Sequence, residues 1–233
     1  MTITAARVFT LFVLTAVPLP VLAAELVLSA PPRESAEKAQ EVFQPIADYL
    51  GKVLGSPVVF RYSDNWLSYQ SDMQADKYDI VFDGPHFVSW RMAKYGHKPV
   101  VSLPGELAYA VVVKKDESRI DSIEKVAGRM VCSPTSPNLG ALSVAALFEN
   151  PARQPLFVNT KGFKQAFEGL MANKCPVAVM QVGIYAMLDK DQTLTRPLII
   201  TKGLPNQAFT ASSRVTDAKI ETLREALLSE AGK

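Results

Sequence analysis

The chain has 233 residues, 48% of them hydrophobic and 21% charged, with a formal net charge of +2. That length suits one large globular domain or two small ones, and the interspersed charges argue against a polybasic tract for nucleic acid or an acidic tail. With two histidines and two cysteines no clustered metal site is expected, and nothing calls for a cofactor.

The first segment, "MTITAARVFTLFVLTAVPLPVLAAE", reads as an export signal over residues 1–23. Arg7 gives the positive start, Val8 to Val17 an apolar core of about ten residues, and Val21-Leu22-Ala23 a small-residue cleavage site. A membrane span needs roughly 20 apolar residues, and Pro18 and Pro20 cut this run short. Export implies an oxidising compartment, where Cys132 and Cys175 either pair or stay as two buried thiols.

Strand-length apolar runs and helical patterns then alternate. "ELVLSA" predicts a strand and Ser35 to Gly55 a helix, with Val42, Phe43, Ile46, Tyr49, Leu50 and Val53 recurring on one face. "PVVFRY" is a strand, "NWLSYQSDMQADK" a short helix capped at Asp64 or Asn65, and "YDIVFD" a third strand closed by Gly84-Pro85. "HFVSWRMAKYG" is helical, and "KPVVSL" and "LAYAVVVKK" are extended. The second half repeats the rhythm: a short helix at "SIEKVAG", a strand at "RMVCS", a helix from Ser136 to Phe148 and a strand at "PLFVNT". A helix from Gly162 to Lys174, a strand at "PVAVMQ" and a helix from Val182 to Leu188 follow, then extended "RPLIITK" and "AFTASSRV" and a closing helix from Asp217 to Ser229. Two successive β-α-β-α-β patterns predict an α/β protein with two lobes and a cleft between them. Ligands of such sheets sit beyond the carboxyl ends of the strands.

"CSPTSPNLG" occupies one of those ends. Ser136 suits a helix N-cap and Pro137 the first helical position, and Ser133, Thr135, Ser136 and Asn138 add hydroxyl and amide donors. Together with the positive end of a helix dipole they make the apparatus for an oxyanion; the plain alternative is a capped helix that binds nothing. Similar helix starts recur at "DGPHFVSW" (Gly84, Pro85, His86), at "SDNWLSY" (Asn65, Trp66) and at "QVGIY" after Gln181. Arg33 can grip an anion in bidentate fashion, or serve in a surface ion pair. Trp66, Tyr109 and Tyr185 either wall a cleft or belong to a core.

Four stretches, "FQPIADYLGKVLGSPVVF", "YDIVFDGP", "AGRMVCSPTSPNLG" and "LPNQAFTASSRV", taken in order resemble the phosphate/phosphonate type of periplasmic solute-binding protein, the type 2 binding proteins that serve ABC importers. The resemblance covers nearly all of the chain after residue 23. It implies a first lobe of residues 24–112 with the returning 197–233, a second lobe of 113–196, and a hinge. It also implies that Thr135 and Ser136, flanked by Ser133 and Asn138, hold the ligand's oxygens, while Gly84, Pro85 and His86 face them from the first lobe. Two positions depart from the family pattern. The usual Ser-Thr-Ser-Gly turn is here Ser-Pro-Thr-Ser-Pro-Asn, and Gln181 stands where binders of aminophosphonates place a carboxylate.

The expected function is therefore a monomeric, periplasmic, non-catalytic binder of a small oxyanion such as phosphate or a phosphonate. Its membrane partner is an ABC permease or, alternatively, a sensor kinase. An enzyme on the same fold is the rival class, with Asp79 and Asp83 as its one candidate carboxylate pair. A bond between Cys132 and Cys175 would join two neighbouring strands of the second lobe and close a loop of 43 residues.

Overall fold

In the computed structural model the described residues are 25–134 and 136–229; the stretch read as an export signal and Thr135 lie outside them. The chain begins with β1 (Leu26–Ser29), α1 (Ala36–Leu54), β2 (Val58–Phe60), α2 (Trp66–Gln74), β3 (Ile80–Asp83), α3 (Pro85–Tyr95) and β4 (Lys98–Ser102). It crosses through the short β5 (Glu106–Leu107) to β6 (Tyr109–Lys114), β7 (Met130–Ser133), α4 (Leu139–Ala145), β8 (Leu156–Asn159), α5 (Phe163–Met171), β9 (Val177–Gln181), α6 (Val182–Leu188) and β10 (Thr195–Ile200). It returns through β11 (Leu204–Pro205) to β12 (Ala208–Ala211) and α7 (Asp217–Leu228).

These strands form two five-stranded sheets, ordered β2-β1-β3-β12-β4 and β10-β6-β9-β7-β8. β1 runs parallel to β2 and β3, and β7 parallel to β8 and β9, while β12 and β6 join antiparallel. The two crossings meet as a ribbon, Leu204 opposite Leu107 and Pro205 opposite Glu106. Because β6 and β10 both belong to the second sheet, the division between sheets falls at this ribbon. It lies a few residues before the expected break at 112/113 and a few after the one at 196/197.

Strand periodicity of two explains how each sheet buries both faces. Leu26, Leu28, Phe60 and Ile80 face α1 and α7, whereas Val27 and Val81 face Tyr69, Met73 and Phe87 of α2 and α3. In the second sheet Val111, Val113, Val131, Val177 and Val179 pack on the side of α4, and Ala110, Val112, Ala178 and Met180 on the side of α5 and α6. The helix boundaries follow from their caps. The Ser35 side chain accepts the Lys38 amide at the start of α1, and Gly55 ends it at φ 58°, the left-handed conformation that glycine adopts without penalty. Asn65 caps α2 by accepting the amide of Ser68.

The helix after β7 differs from the sequence expectation. It runs from Leu139 to Ala145 and is capped by Asn138, whose Oδ1 accepts the Gly140 amide at 2.9 Å. Ser136 and Pro137 thus belong to the preceding turn, and Pro137 is not at the first helical position. At the far end Gln154 Nε2 donates to the carbonyls of Ala145 (3.1 Å) and Phe148 (3.2 Å), closing the helix before Phe148. "SIEKVAG" contracts to a single 3-10 turn, Glu124–Val126.

Cys132 and Cys175 form a disulfide. It ties β7 to the segment leading into β9, and α5 crosses it so closely that a Cβ at Gly169 would lie 2.8 Å from Cys132 Sγ.

Candidate functional site: a cradle between the strand ends

β1, β3, β7 and β9 all end on the side where the two sheets face each other, and four segments meet there. From the first lobe come Arg33, after β1, and Gly84-Pro85-His86, where β3 passes into α3. From the second come the turn after β7 and Tyr109, at the start of β6.

The decisive contact crosses the cleft: His86 Nε2 lies 3.0 Å from the carbonyl oxygen of Pro137. A carbonyl only accepts, so Nε2 carries the proton, and Nδ1 is left as a buried acceptor with no hydrogen-bond partner. Burial lowers the His86 pKa; Asp83 and the Pro137 carbonyl oppose that shift, and Arg33 and Arg91 add to it. The ring is neutral at pH 7.

Arg33 is about one-third exposed, and its Nη2 lies 3.8 Å from Asp83 Oδ1. Its charge is felt by His86 and, across the cleft, by Tyr109. Burial pushes the Tyr109 phenol up to about 12 against the pull of Arg33, so it remains a neutral donor. The Tyr109 hydroxyl makes no hydrogen bond to another described residue. Its ring lies so close to α4 that a Cβ at Gly140 would sit 2.9 Å from Cδ1, which requires glycine there.

Asp83 stands at the floor, fully buried. Its Oδ1 accepts the Gly84 amide at 2.6 Å, and its Oδ2 accepts Arg91 Nη1 at 2.8 Å and the hydroxyl of Tyr69. Burial and the neighbouring carboxylate raise the Tyr69 pKa well above its ordinary value, so it too stays a donor. Arg91 Nε donates to Thr210 Oγ1 (3.3 Å), whose hydroxyl faces His97 Nδ1 (3.2 Å). Thr210 can accept from the arginine and donate to the imidazole only while His97 Nδ1 is unprotonated. Asp83 is therefore neutralised from within the first lobe, which leaves Arg33 as the net positive charge at the rim.

This network carries a pH dependence. Burial, then Arg91 and Arg214, hold His97 at about 4 against an ordinary 6.5; Asp79 opposes them, and Asp76, whose Oδ2 meets Arg214, keeps its Oδ1 3.9 Å from His97 Nε2. Between pH 6.5 and about 4 the unfolded chain binds a proton that the folded chain refuses, so stability is full above that window and falls as pH drops through it. At about 1.4 kcal/mol per unit the loss approaches roughly 3 kcal/mol by pH 4. Urea titrations across pH should show that slope, and His97→Gln should flatten it.

Several residues singled out in the sequence are occupied locally. Ser133 is buried and donates to the Pro134 carbonyl at 2.8 Å. Asn138 and Gln181 cap α4 and α6, Gln181 Oε1 accepting the Ile184 amide at 2.8 Å. Trp66 stacks on Phe87, ring centroids 6.0 Å apart, and belongs to the core beneath α2 and α3. Tyr185 hydrogen-bonds Thr195 at 2.9 Å, away from the cradle. Ser136 is exposed in the turn. The residues that the sequence reading missed are Tyr69, Arg91 and Thr210; only the eight-residue step from Asp83 to Arg91, strand end to one helix face, hinted at a pair.

The sequence model for the phosphonate ABC transporter, periplasmic substrate-binding protein matches residues 28–233. The chain belongs to that family. Among solved structures, the family protein is similar to XAC2383 from Xanthomonas citri bound to ATP, at TM-score 0.71 and 13% identity over 88% of this chain and 83% of that one. It is similar to PhnD1 from Prochlorococcus marinus in complex with methylphosphonate, at TM-score 0.68 and 14% identity over 88% and 84%. An ancestral arginine-binding protein aligns at TM-score 0.61 and 17% identity over 91% and 95%. At such identities these likenesses speak for the fold, that of type 2 periplasmic binding proteins. The curated proteins gave no match.

Proposed function

We propose that this family member captures a small oxyanion, a phosphonate first and phosphate second, between its two lobes and presents the closed form to an ABC permease. The contact of His86 with the Pro137 carbonyl carries the reading, because it brings the first-lobe Arg33 and α3 N-terminus up to the second-lobe turn that holds Ser133, Ser136 and Asn138. Charge supports it. Arg33 supplies a cation, the Tyr109 and Ser136 hydroxyls offer neutral donors, and Asp83 is satisfied by Arg91, Tyr69 and Gly84. A ligand that bridges both lobes favours the closed state by its differential affinity, which a permease can read.

We read the protein as a binder without chemistry. Of the carboxylate pair, Asp79 accepts the Val27 amide (2.8 Å) and Arg214 Nε (2.7 Å), and Asp83 is held by Arg91, so neither is available as a base.

Thermal shift against phosphate, phosphite, sulfate, methylphosphonate and small carboxylates tests the reading. A dose-dependent rise in Tm with phosphonates, by mass action, is expected. A flat response to every oxyanion would sink it.

A further inference from the structure

Beside the cradle, on the first lobe, a hollow of about 350 Å³ opens between α1, the segment after β1 and the return into β12. That volume falls within the range of small-molecule pockets, roughly 300–1,000 Å³. A wider depression around Asp48, Gly51 and Lys52 lies at the amino-terminal end of β2, away from the cradle.

Two aromatic rings line the hollow. Phe43 is stacked on Phe60 (5.1 Å) and Phe82 packs on Phe209 (4.8 Å), with 6.3 Å between Phe43 and Phe82. Each keeps some exposure, yet is wedged against the core from behind, so this lining is rigid and apolar. Val42, 44% exposed although it sits on α1 beside buried neighbours, forms part of the wall, with Gln207 and Lys38 also lining it.

Arg33 connects the two spaces. It lines the hollow, and the same guanidinium stands beside Asp83 and acts on Tyr109 and His86. An oxyanion gripped by Arg33 in the cradle therefore has an apolar recess next to it.

We propose that this hollow is a specificity subsite for a compact, uncharged apolar substituent on the ligand, so that the protein selects alkyl or aryl phosphonates over aminophosphonates. This rests on the oxyanion reading above. Of the charged groups in the recess, Lys38 is paired with Glu41 at 3.0 Å, which leaves Arg33 against the single exposed lining carboxylate Glu34, and Asp83 already has its partners. A ligand ammonium would have no buried carboxylate to meet, whereas a phenyl or alkyl group would cover Val42, Phe43 and Phe82 and displace water from them.

Calorimetric titration of the purified protein with phenylphosphonate, methylphosphonate and 2-aminoethylphosphonate tests it, alongside Val42→Trp, which fills the hollow from an exposed position. In the wild type phenylphosphonate should bind roughly tenfold tighter than methylphosphonate, in line with the gain from apolar groups in hydrophobic pockets. The aminoethyl compound should gain nothing over methyl. In Val42→Trp the phenyl-to-methyl ratio should collapse toward one. If methylphosphonate binds but the phenyl compound shows no advantage, or its advantage survives Val42→Trp, the subsite is overturned while the oxyanion reading stands. If no phosphonate binds at all, the subsite falls, and the oxyanion reading falls with it when phosphate, phosphite and sulfate also fail to bind.

Discussion

Replacing Arg91 by methionine should cost roughly 3–5 kcal/mol of folding stability, the range for breaking a buried ion pair by removing one partner. The pair is dry: the Arg91 and Asp83 side chains are 1% and 0% exposed, 2.8 Å apart. Methionine would fill the space, since the surroundings already include Met73 sulfur 3.6 Å from Arg91 Nη1, but it would leave Asp83 charged with only the Tyr69 hydroxyl, the Gly84 amide and a distant Arg33. The carboxylate would then either pick up a proton or draw Arg33 inward, away from the cradle. Urea denaturation should record the stability loss, and oxyanion affinity should fall with it. A variant within about 1 kcal/mol of the wild type would show that the pair is dispensable.

The second large effect concerns the bond between Cys132 and Cys175, 43 residues apart. By loop-closure entropy such a cross-link stabilises the fold by about 4 kcal/mol. The double variant Cys132→Ala with Cys175→Ala should lose most of that, and reductant should lower the Tm of the wild type but not of the variant. The loss matters for function because Ser133 follows Cys132 directly and opens the cradle turn. A variant as stable as the wild type would assign the anchoring of β7 to Val131, Val177 and their neighbours alone.

Much of this was legible in the sequence because burial on both sheet faces writes long runs of valine and alanine, as in "YAVVVK" and "PVAVM". Helix starts at Asn65, Gly84 and Gln181 were also readable, since each cap is a local affair of two to four residues. The helix after β7 was misplaced for the same reason in reverse. Ser136 and Asn138 are both competent caps, with Pro137 a competent first helical residue after Ser136, and the Pro137 carbonyl is instead taken by His86, 51 residues away. The division between sheets was displaced because β6 and the hinge ribbon form one extended run, with no turn residue between Leu107 and Tyr109 to mark the change of sheet. The network around Asp83 was invisible for a similar reason. Tyr69, Arg91 and Thr210 come from three elements, and only the pairing of β12 with β3 brings Thr210 beside Val81.

The proposed site requires both lobes to hold one oxyanion. The most direct test is the methylphosphonate affinity, by calorimetry, of the wild type, of the first-lobe variant Arg33→Ala and of the second-lobe variant Ser136→Ala. Both variants should bind more weakly, Arg33→Ala by roughly tenfold or more for a lost charge-assisted hydrogen bond and Ser136→Ala by less. Undiminished binding in either variant, or no heat from the wild type, would contradict a site shared between the lobes.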